Sequence, residues 1–315
     1  MTTATVDLDV NRHVDFGHAL ETYMIYPWVR DGDTLVRPLR TGEGDATITT
    51  ARIRQHAPTL LRAELTGNDL GPETIEQVRA TLARTLQLDY PYDRIEELTR
   101  DDNVLAAAVA HRGYGRGKLY PDVFEALCGA VCSNRAQFKR IYGMMRNLAA
   151  AFGEPTGQDA AGEPLYAFPT PARMAEATEE QLRACAVGFR AKGLASIATT
   201  LAAAGYTWHE WSARPPAEVI PDLLTIKGIG PYNANLAVNL AFGHGGAAHI
   251  DTYVCDVVGR LYLKDPSPKP EQVAAYVEDR WGELAETVLD YLTTDTEIWA
   301  AKIGARVGVR SGARG

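Results

Sequence analysis

The sequence predicts an α+β protein, in which a small antiparallel-sheet domain at the N-terminus is followed by an all-helical domain. Three observations favour this fold class. Residues 1–67 are rich in alternating and β-branched stretches, residues 71–88 place a proline at the start of a helical pattern, and apolar residues from Tyr90 onward recur almost only at helical spacing. The expected boundaries are 1–89 for the α+β domain, 90–304 for the helical domain and 305–315 for a basic flexible tail.

Four strands are expected in the N-terminal domain, at VDLDV, TLVRPLR, TITTARIRQ and TLLRAEL. DGD and GEGD supply turn signals between them. In the helical domain, Thr170-Pro171 starts one helix, and Thr178 with Gln181 makes a capping box for the next. The segments 153–171 and 212–216 are rich in proline and glycine and are expected to be loops.

Composition restricts the class of protein. No apolar run approaches 18 residues and no basic segment precedes an apolar one at the start, so a cytoplasmic protein without membrane contact is expected. The net charge of −8 argues against a uniformly positive surface but allows a local one. The four cysteines form no C-x-x-C pair and are expected to be buried free thiols rather than metal ligands or a disulfide.

The stretch TIKGIGPYNANLA places a Gly-Ile-Gly turn between two helical patterns. A helix that begins right after Gly230 presents unpaired amides, and these favour an anion such as phosphate, although Pro231 removes one donor. A helix–turn–helix of this kind holds a DNA backbone without reading bases. The alternative is an ordinary helical corner in which the glycines permit close packing.

A lone acid, Asp251, follows in AFGHGGAAHIDTYVCDVVGRLY, at what looks like a helix N-terminus. The simplest interpretation is an N-cap. A carboxylate in this position also remains ionised close in sequence to the phosphate-holding turn. It is therefore a candidate to stabilise a cationic sugar transition state or to activate water.

The block LLTIKGIGPYNANLAVNLAFGHGGAAHIDTYVCDVVGRLY resembles the hairpin and Gly/Pro…Asp loop of the helix-hairpin-helix (HhH-GPD) DNA glycosylase superfamily. The family form is LPGVG-x-K-T-A, then about twenty residues, then VDTHV. Gly228-Ile229-Gly230 occupies the hairpin and Asp251 the aspartate. Three further segments are similar to family helices, so the resemblance covers about residues 90–300: FEALCGAVCSNRAQFKRIYGMMRNLAAAFG, VGFRAKGLASIA and RWGELAETVLDYL. The N-terminal strands resemble, more weakly, the extra domain of the alkyladenine (3-methyladenine glycosylase II) and 8-oxoguanine branches.

The resemblance implies a DNA N-glycosylase that flips out and excises a damaged base in base excision repair. The position that holds lysine in bifunctional members is Tyr232 here, so no Schiff base and no strand cleavage are expected. An alkylated purine such as 3-methyladenine is the expected base. Alternatives are 8-oxoguanine, another modified base such as that of phage-type hypermodified DNA, or a non-catalytic DNA-binding protein.

Site residues follow from the same resemblance. Asp251 and Tyr232 are the expected catalytic positions. Ser133-Asn134-Arg135 is the candidate wedge that fills the gap left by the flipped base, and Arg140 is placed to read the opposite base; the alternative for the wedge is a solvated loop. The residues expected to contact DNA are Lys227, Gly228, Ile229, Gly230, Tyr253, Ser133, Asn134, Arg135 and Arg140.

The segment from Arg112 to Arg146 contains seven basic residues and only two acidic ones, Asp122 and Glu125, which predicts a local positive face. Such a run is more commonly only a solvated surface. The expected partner is double-stranded DNA with a damaged base, bound by a monomer associated with the nucleoid.

No cofactor is expected to be required. The resemblance implies a Na⁺ or K⁺ held by the backbone carbonyls of Leu224, Ile226 and Ile229, and the iron–sulfur cysteine cluster of other branches is missing from the C-terminal sequence.

Aromatic residues are candidates to stack on an extruded base, or are simply core residues: Tyr232, Phe189, Tyr142, Trp208 and Trp211. The segment RWGELAETVLDYL resembles the closing helix of the family. At this helix, the 8-oxoguanine branch places its base readers where this chain has Leu289, Tyr291 and Thr293. The acids Glu283, Glu286 and Asp290 of that helix have no explanation from the sequence.

Overall fold

The computed structural model describes residues 1–10, 16–21, 24–41, 47–113 and 118–306. The chain forms two compact units, and each is described by itself. The first contains Met1–Asp89 and Gly115–Gly243, and the second contains Tyr90–Tyr114 and His244–Gly315. Both the N-terminal sheet and most of the helices belong to the first unit.

The strands, in chain order, are β1 (Thr2–Asp9), β2 (Val29–Asp31), β3 (Thr34–Thr41), β4 (Thr47–Ala57), β5 (Leu60–Gly67), β6 (Pro155–Gln158) and β7 (Pro164–Tyr166). The α-helices are α1 (Phe16–Glu21), α2 (Pro72–Thr85), α3 (Tyr92–Thr99), α4 (Asn103–Arg112), α5 (Val123–Ser133), α6 (Phe138–Phe152), α7 (Pro171–Ala175), α8 (Glu179–Leu182), α9 (Ala191–Ala203), α10 (Trp208–Ser212), α11 (Pro216–Thr225), α12 (Pro231–Phe242), α13 (Thr252–Val258), α14 (Pro270–Trp281), α15 (Ala285–Thr293) and α16 (Thr296–Lys302).

The N-terminal sheet is antiparallel throughout, with strand order β1-β5-β4-β3-β2. Strand β1 alternates buried and exposed side chains in its second half, whereas six of the first seven residues of β3 are buried, as expected for an edge and an interior strand. The four strands expected from the sequence are therefore confirmed. The three-residue β2 was not expected, because a run this short carries no periodicity.

The sheet and the helices of the first unit share one hydrophobic core. Indole Nε1 of Trp28 donates to the Leu119 carbonyl at 2.9 Å, and Arg37 on β3 pairs with Glu125 on α5 at 2.5 Å, both side chains being buried. Burial raises the pKa of Glu125 to about 8, while the Arg37 charge acts in the opposite direction. Packing therefore groups residues 1–89 with residues 115–243 of the expected helical domain.

The segment 153–171, expected to be a loop, contains a two-stranded antiparallel sheet, and this corrects the expectation. Its strands β6 and β7 have four and three residues and are held from outside. Arg52 on β4 donates to the Gln158 carbonyl at 2.8 Å, and Arg146 on α6 pairs with Glu163 at 2.7 Å. Proline and glycine obscure so short a hairpin in the sequence.

The second unit is a helical cluster of α3, α4 and α13–α16, with a π-helical turn at Gly259–Leu263. Asp102 organises one end of it. Its carboxylate caps α4 by accepting from the amides of Val104 and Leu105, at 3.1 and 2.9 Å, and it also accepts from the Tyr262 hydroxyl and from Arg280. A buried carboxylate with four donors needs no further partner.

Local features of the described chain follow the sequence expectations elsewhere. Thr178 and Gln181 form the capping box at α8, and Thr170 caps α7. All four cysteines are buried and free. Among the described residues, no helix combines the length and apolar character needed to cross a membrane. The turn expected at GEGD and most of the tail expected at 305–315 lie outside the described residues.

Candidate functional site: hairpin, capped aspartate and exposed aromatic

The glycine turn joins α11 to α12, so the predicted helix–turn–helix is present. The Ile229 amide donates to the Ile226 carbonyl at 3.0 Å, and both isoleucines are buried. Gly228 has φ of +89°, a conformation that side-chain-bearing residues rarely adopt. The apolar residues thus anchor the turn while the glycines form its outer edge.

The outer edge of the hairpin is exposed at Lys227, Gly228 and Gly230. Gly230 is the N-cap of α12 with extended backbone, and no side chain caps this helix. Because the first amides of a helix have no partner within the helix, this end favours an anion. Tyr232 lies in the first turn of α12 and its side chain is 50 % exposed.

Asp251 is the N-cap of α13, as the sequence predicts. Its Oδ1 accepts from the Val254 amide at 2.8 Å. Its side chain nevertheless remains 38 % exposed, because only one carboxylate oxygen is used in the cap. One residue therefore combines a structural bond with an anionic oxygen open to a ligand. Tyr253, expected to contact DNA, is half-buried and packs against the core of the second unit.

His249 is a neighbour of Asp251 that the sequence reasoning missed. Its Nε2 lies 4.0 Å from Asp251 Oδ2, and its backbone amide donates to Glu286 Oε2 at 3.0 Å. Glu286 lies on α15, 37 positions further along the chain. The position of His249 two residues before the aspartate was the only signal available in the sequence.

The candidate wedge Ser133-Asn134-Arg135 lies between α5 and α6. The Ser133 hydroxyl donates to the Ala130 carbonyl at 2.7 Å and so ends α5. Arg135 is exposed and has φ of 54°, an unusual value for a residue other than glycine. Arg140, the candidate reader of the opposite base, is also exposed, on α6.

Arg190 ties this loop to a second segment. Its buried guanidinium donates to the carbonyls of Asn134 and Val187 and stacks over the Phe189 ring, 4.5 Å from the ring centroid. Phe189 is 64 % exposed, in a short 3₁₀ turn that begins at Gly188, and both Ala186 and Gly188 have positive φ. The structure thus brings Phe189 beside the candidate wedge, a link that the sequence alone did not reveal.

The other aromatic candidates are core residues. Tyr142, Trp208 and Trp211 are half-buried and pack against the core of the first unit. Their ring neighbours are Tyr26, Phe242 and Tyr206, at centroid distances of 5.4, 5.7 and 5.1 Å. Only Tyr232 and Phe189 of the five candidates present exposed faces.

The acidic closing helix is explained by its partners. Glu283 pairs with Arg94, Asp290 with Arg112 at 2.7 Å, and Glu286 binds the His249 amide. Leu289 and Tyr291 are buried core residues, and the Thr293 hydroxyl donates to the Leu289 carbonyl at 2.7 Å. These contacts lie within the second unit and help to hold it together.

The basic run is likewise only partly a surface. Arg112 and Lys118 are buried, and Arg146 pairs with Glu163. Arg135, Lys139 and Arg140 are exposed and supply positive charge around the wedge loop. Arg116 lies outside the described residues.

The expected cation ligands form a chemically suitable set. Leu224, Ile226 and Ile229 offer backbone carbonyl oxygens, the ligands that alkali cations accept, at the end of α11 where carbonyls lose their helical partners. The Ile226 carbonyl already accepts one hydrogen bond and keeps a second lone pair. The residues fit a monovalent ion, which stays a prediction.

The chain is similar to known proteins in sequence and in fold. Residues 128–283 match the family model "HhH-GPD superfamily base excision DNA repair protein". The Arabidopsis thaliana N-glycosylase/DNA lyase OGG1 is 28 % identical over 181 residues, covering 54 % of this chain and 49 % of the relative. The chain thus spans about half the length of the curated relative that it matches.

Solved structures share the fold over nearly the whole chain. The 3-methyladenine DNA-glycosylase from Archaeoglobus fulgidus is similar with a TM-score of 0.77 at 22 % identity, covering 91 % of this chain and 97 % of that one. MBOgg1 in complex with a low affinity DNA ligand is similar with a TM-score of 0.71 at 20 % identity, covering 96 % of this chain and 97 % of that one. The apo-form of Clostridium acetobutylicum 8-oxoguanine glycosylase/lyase is similar with a TM-score of 0.70 at 19 % identity, covering 91 % of this chain and 95 % of that one.

Five antiparallel strands followed by helices, with a glycine hairpin and a capped aspartate, define the fold of a helix-hairpin-helix DNA glycosylase. Residues 128–283 belong to the HhH-GPD superfamily of base excision DNA repair proteins. The predicted fold class, family and neighbouring branches are confirmed.

Proposed function

We propose that this protein is a DNA N-glycosylase that removes a damaged base by hydrolysis. The observation that carries the proposal is Asp251, which caps α13 with Oδ1 and leaves its side chain 38 % exposed. A carboxylate fixed in this way stabilises the oxocarbenium ion that develops as the N-glycosidic bond breaks, without having to reorganise. The carboxylate also orients the water that adds to the sugar.

DNA binding is proposed for two surfaces of the first unit. The amides at the start of α12 and Lys227 bind a backbone phosphate, independent of sequence. Arg135 and Phe189 enter the duplex where the damaged nucleotide is extruded, and Arg140 contacts the opposite strand. A Na⁺ or K⁺ on the hairpin carbonyls would add positive charge at the phosphate. We propose a monomer acting on double-stranded DNA of the nucleoid.

Absence of strand cleavage is part of the proposal. At the position of the family lysine, Tyr232 offers a hydroxyl and an exposed ring but no amine, so it cannot form a Schiff base with the abasic sugar. We propose that its ring faces the extruded base. Borohydride trapping tests the absence of a Schiff base. A covalent complex with an abasic oligonucleotide would require an amine that the proposal does not provide.

An alkylated purine such as 3-methyladenine is the proposed substrate. A cationic base leaves as a neutral molecule, so an aromatic face and a carboxylate are enough to release it. The second candidate is 8-oxoguanine, which the name of the 28 % identical relative favours.

The decisive experiment compares wild type with Asp251→Asn on oligonucleotides that carry 3-methyladenine, 8-oxoguanine and other single lesions. Products are scored after heating in alkali and, in parallel, without alkali. We expect alkali-dependent cleavage by wild type and a loss of at least about 100-fold in the variant, with DNA affinity nearly unchanged. Equal DNA binding without base release by wild type would instead identify a non-catalytic DNA-binding protein.

A further inference from the structure

The two carboxylate oxygens of Asp251 have different surroundings. Oδ1 is fixed by the Val254 amide at 2.8 Å, whereas Oδ2 lies 4.0 Å from Nε2 of His249. The Asp251 and His249 side chains are 38 % and 25 % exposed, so solvent reaches both. The cap therefore orients Oδ2 towards the imidazole and leaves a gap between the two atoms.

His249 is held independently of Asp251. Its backbone amide donates to Glu286 Oε2 at 3.0 Å, and its neighbours Ala248 and Ile250 pack against the core of the second unit. Helix α15 thus fixes the backbone of His249, and helix α13 fixes the carboxylate of Asp251. Both residues are consequently anchored to helices of the same unit.

A separation of 4.0 Å is too long for a direct hydrogen bond but suits one bridging water. If a water lay about 2.8 Å from each atom, the angle at its oxygen between Nε2 and Oδ2 would be about 90°, which allows it to donate one hydrogen bond to each. The neutral imidazole with its hydrogen on Nδ1 presents Nε2 as an acceptor. Both hydrogens of such a water are then engaged, and its lone pairs point away from the two side chains.

We propose that His249 is a positioning residue which, together with Oδ2 of Asp251, holds the water molecule that adds to the deoxyribose. The inference rests on the proposed function and assigns a second side chain to its reaction. Asp251 remains the group that stabilises the sugar cation, and His249 acts by orienting its water.

The step balances as follows for a cationic alkylated purine. The C1′–N bond breaks, and its electron pair leaves with the base, which becomes neutral. The water oxygen donates a lone pair to C1′ and forms the C1′–O bond. One water proton passes to the Asp251–His249 pair and from there to solvent, so that a neutral base, an abasic sugar and one proton result.

Acid should disrupt this arrangement, since an imidazolium donates from both nitrogens and Nε2 can no longer accept from water. Two carboxylates lie close to His249, that of Asp251 on its own segment and that of Glu286 on α15. An imidazolium would also offset the charge of Asp251. Both effects lower the rate of base release when the imidazole is protonated.

The first test is a high-resolution crystal structure of the free wild-type protein at about pH 7.5. The expected result is an ordered water within hydrogen-bond distance of both Nε2 and Oδ2, and its absence overturns the proposal whatever the activity. If wild type holds this water but releases no base from any lesion, the proposed function has failed and the His249 geometry has not.

The second test measures single-turnover base release from pH 5.5 to 8.5 in wild type, His249→Gln and His249→Ala. Glutamine keeps an acceptor oxygen but cannot be protonated, so we expect a rate within about threefold of wild type at pH 7.5 and a smaller loss of rate at acid pH than in wild type. Alanine should lower the rate about tenfold or more, with little change in DNA affinity.

The matched control is His209→Gln, which changes an exposed histidine of the first unit and should leave the profile as in wild type. If the rate of base release falls equally at acid pH in wild type and in His249→Gln, the proposal is overturned. If His249→Ala fails to fold, as judged by circular dichroism, the glutamine profile alone decides.

Discussion

At the scale of single residues, Gly228 and Gly230 bracket the same turn but have different backbones. Gly228 has φ of +89°, and Gly230 has φ of −100°. A Cβ added at either position would meet nothing within 4 Å. Any difference between alanine variants at these two positions must therefore come from backbone conformation and not from a clash.

We expect Gly228→Ala to lower the free energy of unfolding by about 1–2 kcal/mol, because a left-handed residue other than glycine costs roughly that amount. DNA affinity should fall with it, since the hairpin amides depend on the turn. Urea unfolding and fluorescence anisotropy measure the two effects. Gly230→Ala is the control and should lose less of both, because its backbone is extended and only the weaker N-cap preference of alanine counts against it. Equal losses in the two variants would contradict the argument.

Asp251 illustrates how much of the candidate site the sequence could predict. Asp-Thr before a helical pattern predicts the cap, and the hairpin motif predicts the turn; both are local in sequence. The bond from His249 to Glu286 and the Arg190 bond to Asn134 join residues 37 and 56 positions apart. Such contacts depend on tertiary packing, which one sequence does not reveal.

At the scale of elements, the start of α13 separates the two roles of Asp251. Asparagine caps a helix as well as aspartate does, whereas alanine cannot. We expect Asp251→Ala to lose about 1 kcal/mol of stability, within a range of roughly 0.5–2, and Asp251→Asn to lose little. Both should lose base release. Thermal unfolding checks the difference, and equal midpoints would show that the cap contributes nothing.

The short turn at Gly188–Arg190 presents Phe189 to solvent beside the wedge loop. Because this ring is 64 % exposed, we expect Phe189→Ala to change stability by less than about 1 kcal/mol, the worth of its contact with Arg190. Base release from duplex DNA should fall about tenfold or more, and release from single strands much less, since only a duplex must be opened.

Ile298→Ala supplies the control for this effect, because Ile298 is 55 % exposed on α16 and has no proposed contact with DNA. A similar loss of duplex activity in both variants would show that the effect is not specific to Phe189.

Short and long elements differed in how well the sequence predicted them. Strands β3, β4 and β5 and helices α2 and α12 have eight or more residues, enough for a recognisable apolar pattern or β-branched run. Strands β2, β6 and β7 have three or four, and their pairing partners define them. The acids of the closing helix could not be interpreted from the sequence because their partners are also distant. Asp290, for example, pairs with a residue 178 positions away.

At the scale of the whole molecule, the pair of Arg37 and Glu125 gives folding a pH dependence. The pKa of Glu125 is raised from 4.5 to about 8 in the folded state. Below pH 4.5 the carboxyl is protonated in both the folded and the unfolded state. As pH rises towards 8 the unfolded chain releases this proton first, so stability is lost with rising pH in this window.

We expect the free energy of unfolding of wild type, relative to Glu125→Gln, to fall by at most about 1.4 kcal/mol per pH unit between these limits. Glutamine still accepts from Arg37 but does not titrate. Urea titrations at pH 5, 6, 7 and 8 measure the difference. A constant gap between the two proteins over this range would show that Glu125 does not titrate there.

The four buried cysteines make the chain suitable for single-site spectroscopy. Burial raises the pKa of all four thiols, so the reactive thiolate is suppressed in the native state. A thiol introduced at an exposed position, for example by Arg135→Cys, would thus be the main target of a maleimide dye. Fluorophores attached there would report insertion into a duplex in real time, without first removing the native cysteines.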